Sequence, residues 1–128
     1  MANGIRRLVL HWAVSAYKPT AHILNSYHAV VDNNGKRYWG KHPIEANINP
    51  KRGSYAPHIG GGNTGSAGIS MLGMHVADEA NWPPGPYPLT QVQVDEFCNL
   101  AGESGETWGL TPTDKNQVAT HGEFQPRR

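Results

Sequence analysis

Two histidines occupy positions from which a chain can build a metal site. His11 follows the apolar run 8–10, which is typical of a strand buried on both faces, and His121 follows a short predicted strand over 116–120. Residues at the carboxyl ends of neighbouring strands can converge, as zinc ligands that leave one coordination position for water require. A hydrogen-bonded structural histidine is the competing interpretation of each, and spacing alone does not decide between the two.

Three other motifs do not carry the chemistry that their letters suggest. Residues 60–65 match G-x-G-x-x-G, but a dinucleotide site needs a strand before the motif and a helix after it, and here a strand follows. Thr64 stands where a nucleophile elbow needs glycine. The glycine in the stretch 32–35 comes too early for a calcium-binding loop. These patterns exclude nucleotide, serine-nucleophile and calcium-loop chemistry at these sites.

The elements that must position the histidines are strands interspersed with one clear helix. Two β-prone runs flank the turn residues Asn33-Asn34-Gly35 and predict a hairpin in which Tyr27 and His28 face opposite ways. Residues 43–65 are rich in Pro, Asn and Gly and predict a long ordered loop, after which 67–72 predict a short apolar strand. This order indicates an α/β domain with a mixed central β-sheet flanked by helices.

The predicted helix follows a proline-rich surface connection over 81–88. Thr90 is its expected N-cap, because its side chain can accept a hydrogen bond from the first turn. The apolar spacing predicts four inward positions, namely Val94, Phe97, Cys98 and Ala101. We therefore expect Cys98 to be a core residue that resists thiol reagents.

Composition bounds the class of protein. A chain of 128 residues fits one domain. Its 11 Lys plus Arg against 10 Asp plus Glu give a formal charge of +1, without the basic excess typical of nucleic-acid-binding proteins. A single cysteine provides neither an internal disulfide nor a Cys-x-x-Cys metal site. The apolar run 8–10 is too short for a signal peptide or a membrane span, and we expect neither.

Five blocks of the sequence together carry a family resemblance. They are "LVLHW" (8–12), "YHAVVDNNGKRYWGKHPIEAN" (27–47), "HIGGGNTGSAGISMLGM" (58–74), "YPLTQVQVDEF" (87–97) and "THGEF" (120–124). In this order they resemble the type 2 N-acetylmuramoyl-L-alanine amidases, and more specifically the phage and prophage branch of the peptidoglycan-recognition superfamily. The resemblance implies a single amidase-like domain over 1–128 with the mixed sheet of that fold.

The resemblance also implies an activity and a set of site residues. The family's reaction is zinc-dependent hydrolysis of the amide between N-acetylmuramic acid and L-alanine in peptidoglycan. His11 and His121 match its two histidine ligands of Zn²⁺, and Tyr27 matches a tyrosine whose hydroxyl helps to stabilise the tetrahedral oxyanion. A tyrosine packed on the sheet is the competing interpretation of Tyr27.

The remaining histidines and the loop residues divide into three groups. His58, Asn63 and Thr64 lie in the loop that borders the family's substrate groove, where they either bind muropeptide or shape the loop. We expect His28 to be buried and structural, because strand alternation turns it away from Tyr27. The others, expected at the surface or behind the site, are His22, His42 and His75.

Two departures from the family pattern concern catalysis. Ser70 stands at the position where some members carry a glutamate as general base, so Glu45 in the "EAN" block is the first acid to test, with an exposed loop carboxylate as the competing interpretation. The family's third zinc ligand, an Asp or a Cys, lies several residues beyond the motif that contains His121. We expect the domain over 1–128 to lack that segment: the chain is shortened, the ligand comes from elsewhere, or the protein binds without cutting.

These alternatives define two hypotheses for function. The first is a phage-type zinc amidase that acts on peptidoglycan, either released from the host cytoplasm to the cell wall or carried on a phage particle. The second is a non-catalytic peptidoglycan-binding module or a phage particle component of the same fold, with other phage particle proteins as partners. A cell-wall binding assay combined with an assay for released muropeptides separates the two.

Overall fold

The computed structural model describes residues 4–60, 62–74 and 87–124. Its elements, in chain order, are β1 (Arg7–Trp12), α1 (Ala21–Ser26), β2 (Ala29–Val31), β3 (Arg37–Trp39), a 3₁₀ helix (Ile44–Asn47), β4 (Ser66–Met71), α2 (Gln91–Trp108), β5 (Val118–Thr120) and α3 (His121–Phe124). Among the described residues, no helix is both long enough and apolar enough to cross a membrane.

The strands form one mixed sheet in the order β3-β2-β4-β1-β5. β2 and β3 pair antiparallel as the predicted hairpin, while β4 pairs in parallel with β2 and β1, and β1 pairs in parallel with β5. The predicted fold class is therefore confirmed. Because Leu10 is opposite Thr120 in the register, β1 and β5 end side by side at one edge of the sheet.

Each face of the sheet packs against a helix. Leu8 and Leu10 belong to a core cluster with Phe97 and Leu100 of α2. Side chains alternate along a strand, so Val9 and His11 lie on the opposite face. The second cluster, on that face, joins β2 to α1 and includes Ile23, Val30 and Leu72. His11 is thus held between an apolar sheet and the elements that cover its second face.

Helix α2 follows its predicted N-cap, and of its predicted inward positions Phe97 is buried and Ala101 packs against the core, whereas Cys98 is not buried. Thr90 and Gln93 form a reciprocal capping box, in which each side chain binds the other's backbone N–H. The buried positions of the helix are Gln93, Phe97, Leu100, Ser104 and Gly105. Cys98 is exposed, so the prediction of a core cysteine is wrong.

A buried polar residue sets which face of α2 packs inward. Gln93 is fully buried, and its Nε2 donates to the carbonyl oxygens of Val31 and Leu72 at 2.9 and 2.6 Å. These two carbonyls lie at the carboxyl ends of β2 and β4, and the Val31 oxygen also accepts from the Leu72 N–H at 2.9 Å. An apolar pattern cannot predict a helix face that is set by a glutamine, and it therefore places Cys98 on the wrong side.

The region before the hairpin contains a helix that the sequence pattern did not predict. The Thr20 side chain accepts a hydrogen bond from the Ile23 N–H and begins α1, which ends after six residues. Its C-cap residue is Tyr27, whose backbone is extended, with φ −126° and ψ 154°. The chain therefore leaves α1 at Tyr27 and enters β2 at Ala29.

A buried hydrogen-bond network anchors the long loop 43–65 to the sheet. His28 Nδ1 accepts from the Gly68 N–H at 2.9 Å, so its Nε2 carries hydrogen and donates to Asn47 Oδ1 at 3.0 Å. Asn47 also exchanges two hydrogen bonds with the backbone of Ala56. His28 is 3% exposed and has both ring nitrogens engaged, which confirms it as a buried structural residue.

Burial of His28 predicts a loss of stability in acid. Burial lowers its pKa from 6.5 to about 4, so between these values the unfolded chain binds a proton that the folded chain does not. The stabilising contribution is present above pH 6.5 and is lost as the pH falls. From pH 7 to pH 5, His28 is expected to remove about 2 kcal/mol from the free energy of unfolding.

Urea denaturation of two variants at pH 7 and pH 5 measures this contribution. His28→Gln should lose less stability between the two pH values than the original protein, whatever its absolute stability. His22→Gln, which changes an exposed histidine, should retain the full loss. Equal pH dependence in the His28→Gln variant and the original protein would contradict the assignment.

Candidate active site

His11 and His121 meet at the edge where β1 and β5 end. His121 comes directly after β5 and opens α3, while His11 is the last residue but one of β1. Their ring centroids lie 5.0 Å apart with the planes at 79°. His11 is 6% exposed, and His121 is half-buried. The convergence predicted from the two strand ends is therefore found.

Tyr27 joins these histidines from the end of α1. Its ring centroid is 5.1 Å from that of His11. Ser70 lies opposite His11 in the register of β4 and hydrogen-bonds the Tyr27 side chain. Burial raises the pKa of Tyr27, and the Ser70 hydrogen bond opposes that shift. The phenol is consequently protonated at neutral pH and is able to donate a hydrogen bond.

His58 is the third histidine of this cluster, and it lies inside the protein rather than on an open loop surface. Its side chain is 6% exposed. The Nδ1 atom is 3.1 Å from His11 Nε2, and Nε2 is 3.0 Å from the carbonyl oxygen of Ser66. Both ring nitrogens are engaged by the protein, so direct contact of His58 with a substrate stays a prediction.

Burial and neighbouring histidines lower the pKa of His11 and of His58. Burial lowers the pKa of His11 to about 3, and the positive charges that His58 and His121 would carry lower it further. Burial also lowers the pKa of His58 to about 4, against its hydrogen bond to Ser66. Since both imidazoles are neutral at pH 7, each has one nitrogen with a hydrogen and one with a lone pair.

A cavity of about 490 Å³ opens beside this pair. Its lining consists of Leu10, His11, Trp12, Thr120, His121 and Gly122. Trp12 is 53% exposed and presents a large apolar surface next to His11. The apolar run 8–10 predicts only a buried strand and does not identify Trp12 as a site residue. Its place directly after His11 at a strand end was the available signal.

Glu45, Asn63 and Thr64 are not brought to His11 and His121. Glu45 is exposed on the 3₁₀ helix and lines a separate cavity of about 570 Å³, together with residues that include Trp39, Glu103 and Trp108. Asn63 and Thr64 line a third pocket, of about 370 Å³, with Pro50, Arg52 and Tyr55. Their proposed contacts with catalytic water or muropeptide stay predictions.

The hydrogen bonds of Asn63 support its loop-shaping interpretation. Its Oδ1 accepts from the Ile59 N–H at 3.0 Å.

Two of the remaining histidines can also be located. His22 is exposed, whereas His42 is buried and its Nε2 lies 2.9 Å from Asn25 Oδ1, so His42 is not a surface residue. His75 lies outside the described residues.

His11 and His121 suit a metal ion, but the described residues do not assemble a full set of ligands. Within 4–60, 62–74 and 87–124, no three His, Cys, Asp or Glu residues are arranged to hold a metal. His11 and His121 are neighbouring donors of the type that zinc prefers. His58 is close to both, but its nitrogens are occupied by His11 and Ser66.

Known proteins share this fold at low sequence identity. The N-acetylmuramoyl-L-alanine amidase LysC from Clostridium intestinale URNW superposes with a TM-score of 0.62 at 13% identity, over 97% of this chain and 76% of that chain. The Ph2119 endolysin from the Thermus scotoductus bacteriophage Ph2119 gives 0.58 at 13%, over 96% and 75%. The ectodomain complex of peptidoglycan recognition proteins LCa and LCx with tracheal cytotoxin gives 0.60 at 15%, over 97% and 74%.

The sequence comparison is more specific than these superpositions. No curated protein sequence matches the chain. A family model described as N-acetylmuramoyl-L-alanine amidase matches residues 1–128, and the phage endolysin and amidase structures have the same fold. The chain therefore belongs to the N-acetylmuramoyl-L-alanine amidase family, within the fold that amidases share with peptidoglycan recognition proteins.

Proposed function

We propose that this protein is a zinc-dependent hydrolase of peptidoglycan that cleaves the amide between N-acetylmuramic acid and L-alanine. The observation that carries the proposal is the meeting of His11 and His121 at one cavity, with the Tyr27 ring packed against His11, since two imidazoles and a phenol are the groups that such a hydrolysis uses. Membership of the amidase family supports the reaction class.

The donor chemistry of the site fits zinc. Zinc sites in hydrolases combine imidazole nitrogens with one further protein ligand and an open position. Metal ligation requires a neutral imidazole, and burial keeps His11 neutral at pH 7 because its pKa is about 3. When bound, zinc supplies Lewis acidity for the scissile carbonyl and lowers the pKa of water.

We further propose that the third protein ligand comes from outside the described residues. This follows the family pattern, in which an Asp or a Cys lies several residues beyond the motif that contains His121. It also agrees with the absence of a three-residue metal set in 4–60, 62–74 and 87–124. The domain is then completed by a segment that carries this ligand.

Tyr27 provides the second catalytic function. Its protonated phenol, held by Ser70 and 5.1 Å from the His11 ring, donates a hydrogen bond to the oxygen on which charge develops during attack at the amide carbon. Trp12 offers an exposed apolar surface for the substrate at the same cavity. The general base is not assigned: Ser70 cannot serve as a carboxylate base, and Glu45 lines a different cavity.

The proposed partner and cellular setting are taken from the structural relatives. One structural relative is a phage endolysin and another is a recognition-protein complex with tracheal cytotoxin. Peptidoglycan is accordingly the proposed partner, reached either after release from the host cytoplasm or from a phage particle. Other phage particle proteins are partners only in the second case.

The first functional prediction concerns His11. In a form that carries the third ligand, His11→Ala should abolish zinc uptake and reduce cell-wall digestion to background, because a catalytic zinc site cannot form with one imidazole. His22→Ala, at an exposed histidine, should leave both unchanged. Zinc per chain, turbidity of a cell-wall suspension and urea unfolding are measured for both variants. Normal digestion by a folded His11→Ala protein would refute the proposal.

The second concerns Tyr27. In the same form, Tyr27→Phe should lower kcat about 100-fold with little change in KM, because the lost hydrogen bond forms mainly in the transition state. Tyr38→Phe is the matched control, since the Tyr38 hydroxyl binds Asp32 in the hairpin, away from the cavity. Release of muropeptides at several wall concentrations gives both constants. An unchanged kcat in Tyr27→Phe would remove Tyr27 from the catalytic machinery.

A second candidate function is favoured by the incomplete ligand set within the described residues. In this case the protein binds peptidoglycan without cutting it. Sedimentation with purified sacculi and assay of released muropeptides should be done on the 128-residue chain and on a form extended beyond Arg128. Zinc uptake and release by the extended form alone support the amidase with an added ligand. Binding without release by both forms supports the binding module.

A further inference from the structure

A buried relay of hydrogen bonds runs from His11 through His58 to the backbone of Ser66. His11 Nε2 lies 3.1 Å from His58 Nδ1, and His58 Nε2 lies 3.0 Å from the Ser66 carbonyl oxygen. Both histidines are 6% exposed, so bulk water does not compete for these contacts. The proposed function assigns no part to His58.

The end of the relay determines where each hydrogen lies. The Ser66 carbonyl oxygen can only accept, so His58 Nε2 must carry a hydrogen. A neutral imidazole has one N–H, which leaves His58 Nδ1 as an acceptor. The hydrogen in the 3.1 Å contact must then belong to His11 Nε2. His11 is left with its lone pair on Nδ1.

We propose that His58 is a positioning residue that holds His11 in the Nε2–H tautomer, so that His11 Nδ1 is the nitrogen available to a metal ion. The assignment of the tautomer rests on the metal-free geometry alone, whereas its use by zinc rests on the proposed function. Metal-binding histidines usually donate their second N–H to a carboxylate, a carbonyl or water. Here a second imidazole, itself anchored to a carbonyl, takes that place.

The packing around His58 holds its ring in the orientation that this relay needs. A Cβ at Gly68 would lie 2.3 Å from His58 Cγ, so the ring lies flat against a strand position that admits only glycine. The acceptor is equally constrained. Arg7 donates to Ser66 Oγ and to the Gly62 carbonyl at 3.0 and 2.7 Å, and Ser66 Oγ donates to that same carbonyl at 2.6 Å.

The positions of these hydrogens can be measured directly in the original protein. Long-range ¹H–¹⁵N NMR spectra of the metal-free chain at neutral pH distinguish the two nitrogens of each histidine. We expect protonated Nε2 and unprotonated Nδ1 for both His11 and His58, and a shift of His11 Nδ1 when zinc is added to a metal-competent form. A hydrogen on His11 Nδ1 in the metal-free protein would overturn the proposal.

Two variants test whether His58 causes this tautomer. His58→Asn keeps an acceptor oxygen close to the position of Nδ1 and should retain the His11 Nε2–H form, whereas His58→Ala should give a mixture of the two tautomers. Zinc affinity of the metal-competent form should fall about 10- to 100-fold in His58→Ala and less in His58→Asn. His42→Gln, at a buried histidine bound to Asn25, should change neither measurement.

The outcomes separate this inference from the proposed function. An unchanged His11 tautomer in a folded His58→Ala protein would show that His58 has no positioning role. A protein with the expected tautomer that neither binds zinc nor cleaves peptidoglycan would refute the proposed function and leave the relay intact. Reduced stability without a change of tautomer would assign His58 a purely structural role and contradict the inference.

Discussion

The Asn47 side chain is fully buried, and the geometry of the site depends on how its polar atoms are satisfied. A buried amide without partners is costly, so Asn47 must bind His28 and the backbone of Ala56 together. These hydrogen bonds tie a loop of little regular structure to the start of β2. His58, two residues after Ala56, is thereby held against Gly68 of β4, the strand beside the one that carries His11.

The sheet supplies the second constraint. Because β1 lies between β4 and β5, with all three parallel, the carboxyl ends of three strands meet at one edge. His11 is flanked there by Ser70 on one side and by His121 on the other. Tyr27 approaches the His11 ring from the end of α1, because that helix ends directly before it. The cluster therefore combines residues that are far apart in sequence.

What the sequence could predict followed from local periodicity. The strand at 8–10 is a run of apolar residues and the hairpin has an Asn-Gly turn, and both were located, as was the approach of His11 to His121. The failures have polar causes: the face of α2 is set by the hydrogen bonds of Gln93, which displaced Cys98 to the surface. His58 seemed to be a loop residue, because no pattern in 43–65 indicates that Asn47 draws that loop inward.

Burial of several histidines at one edge links the stability of this fold to its chemistry. Removing imidazoles from water favours their neutral form. Neutral imidazole is the form that ligates metals, and it donates a hydrogen bond through one nitrogen while it accepts through the other. The same desolvation lowers the pKa of His11, His28 and His58, so their protonation in acid destabilises the folded state. A site built with exposed histidines would avoid that acid sensitivity, but water would then compete for the contact between His11 and His58. The low-pH cost in stability is thus a direct consequence of the burial that gives each imidazole a defined tautomer.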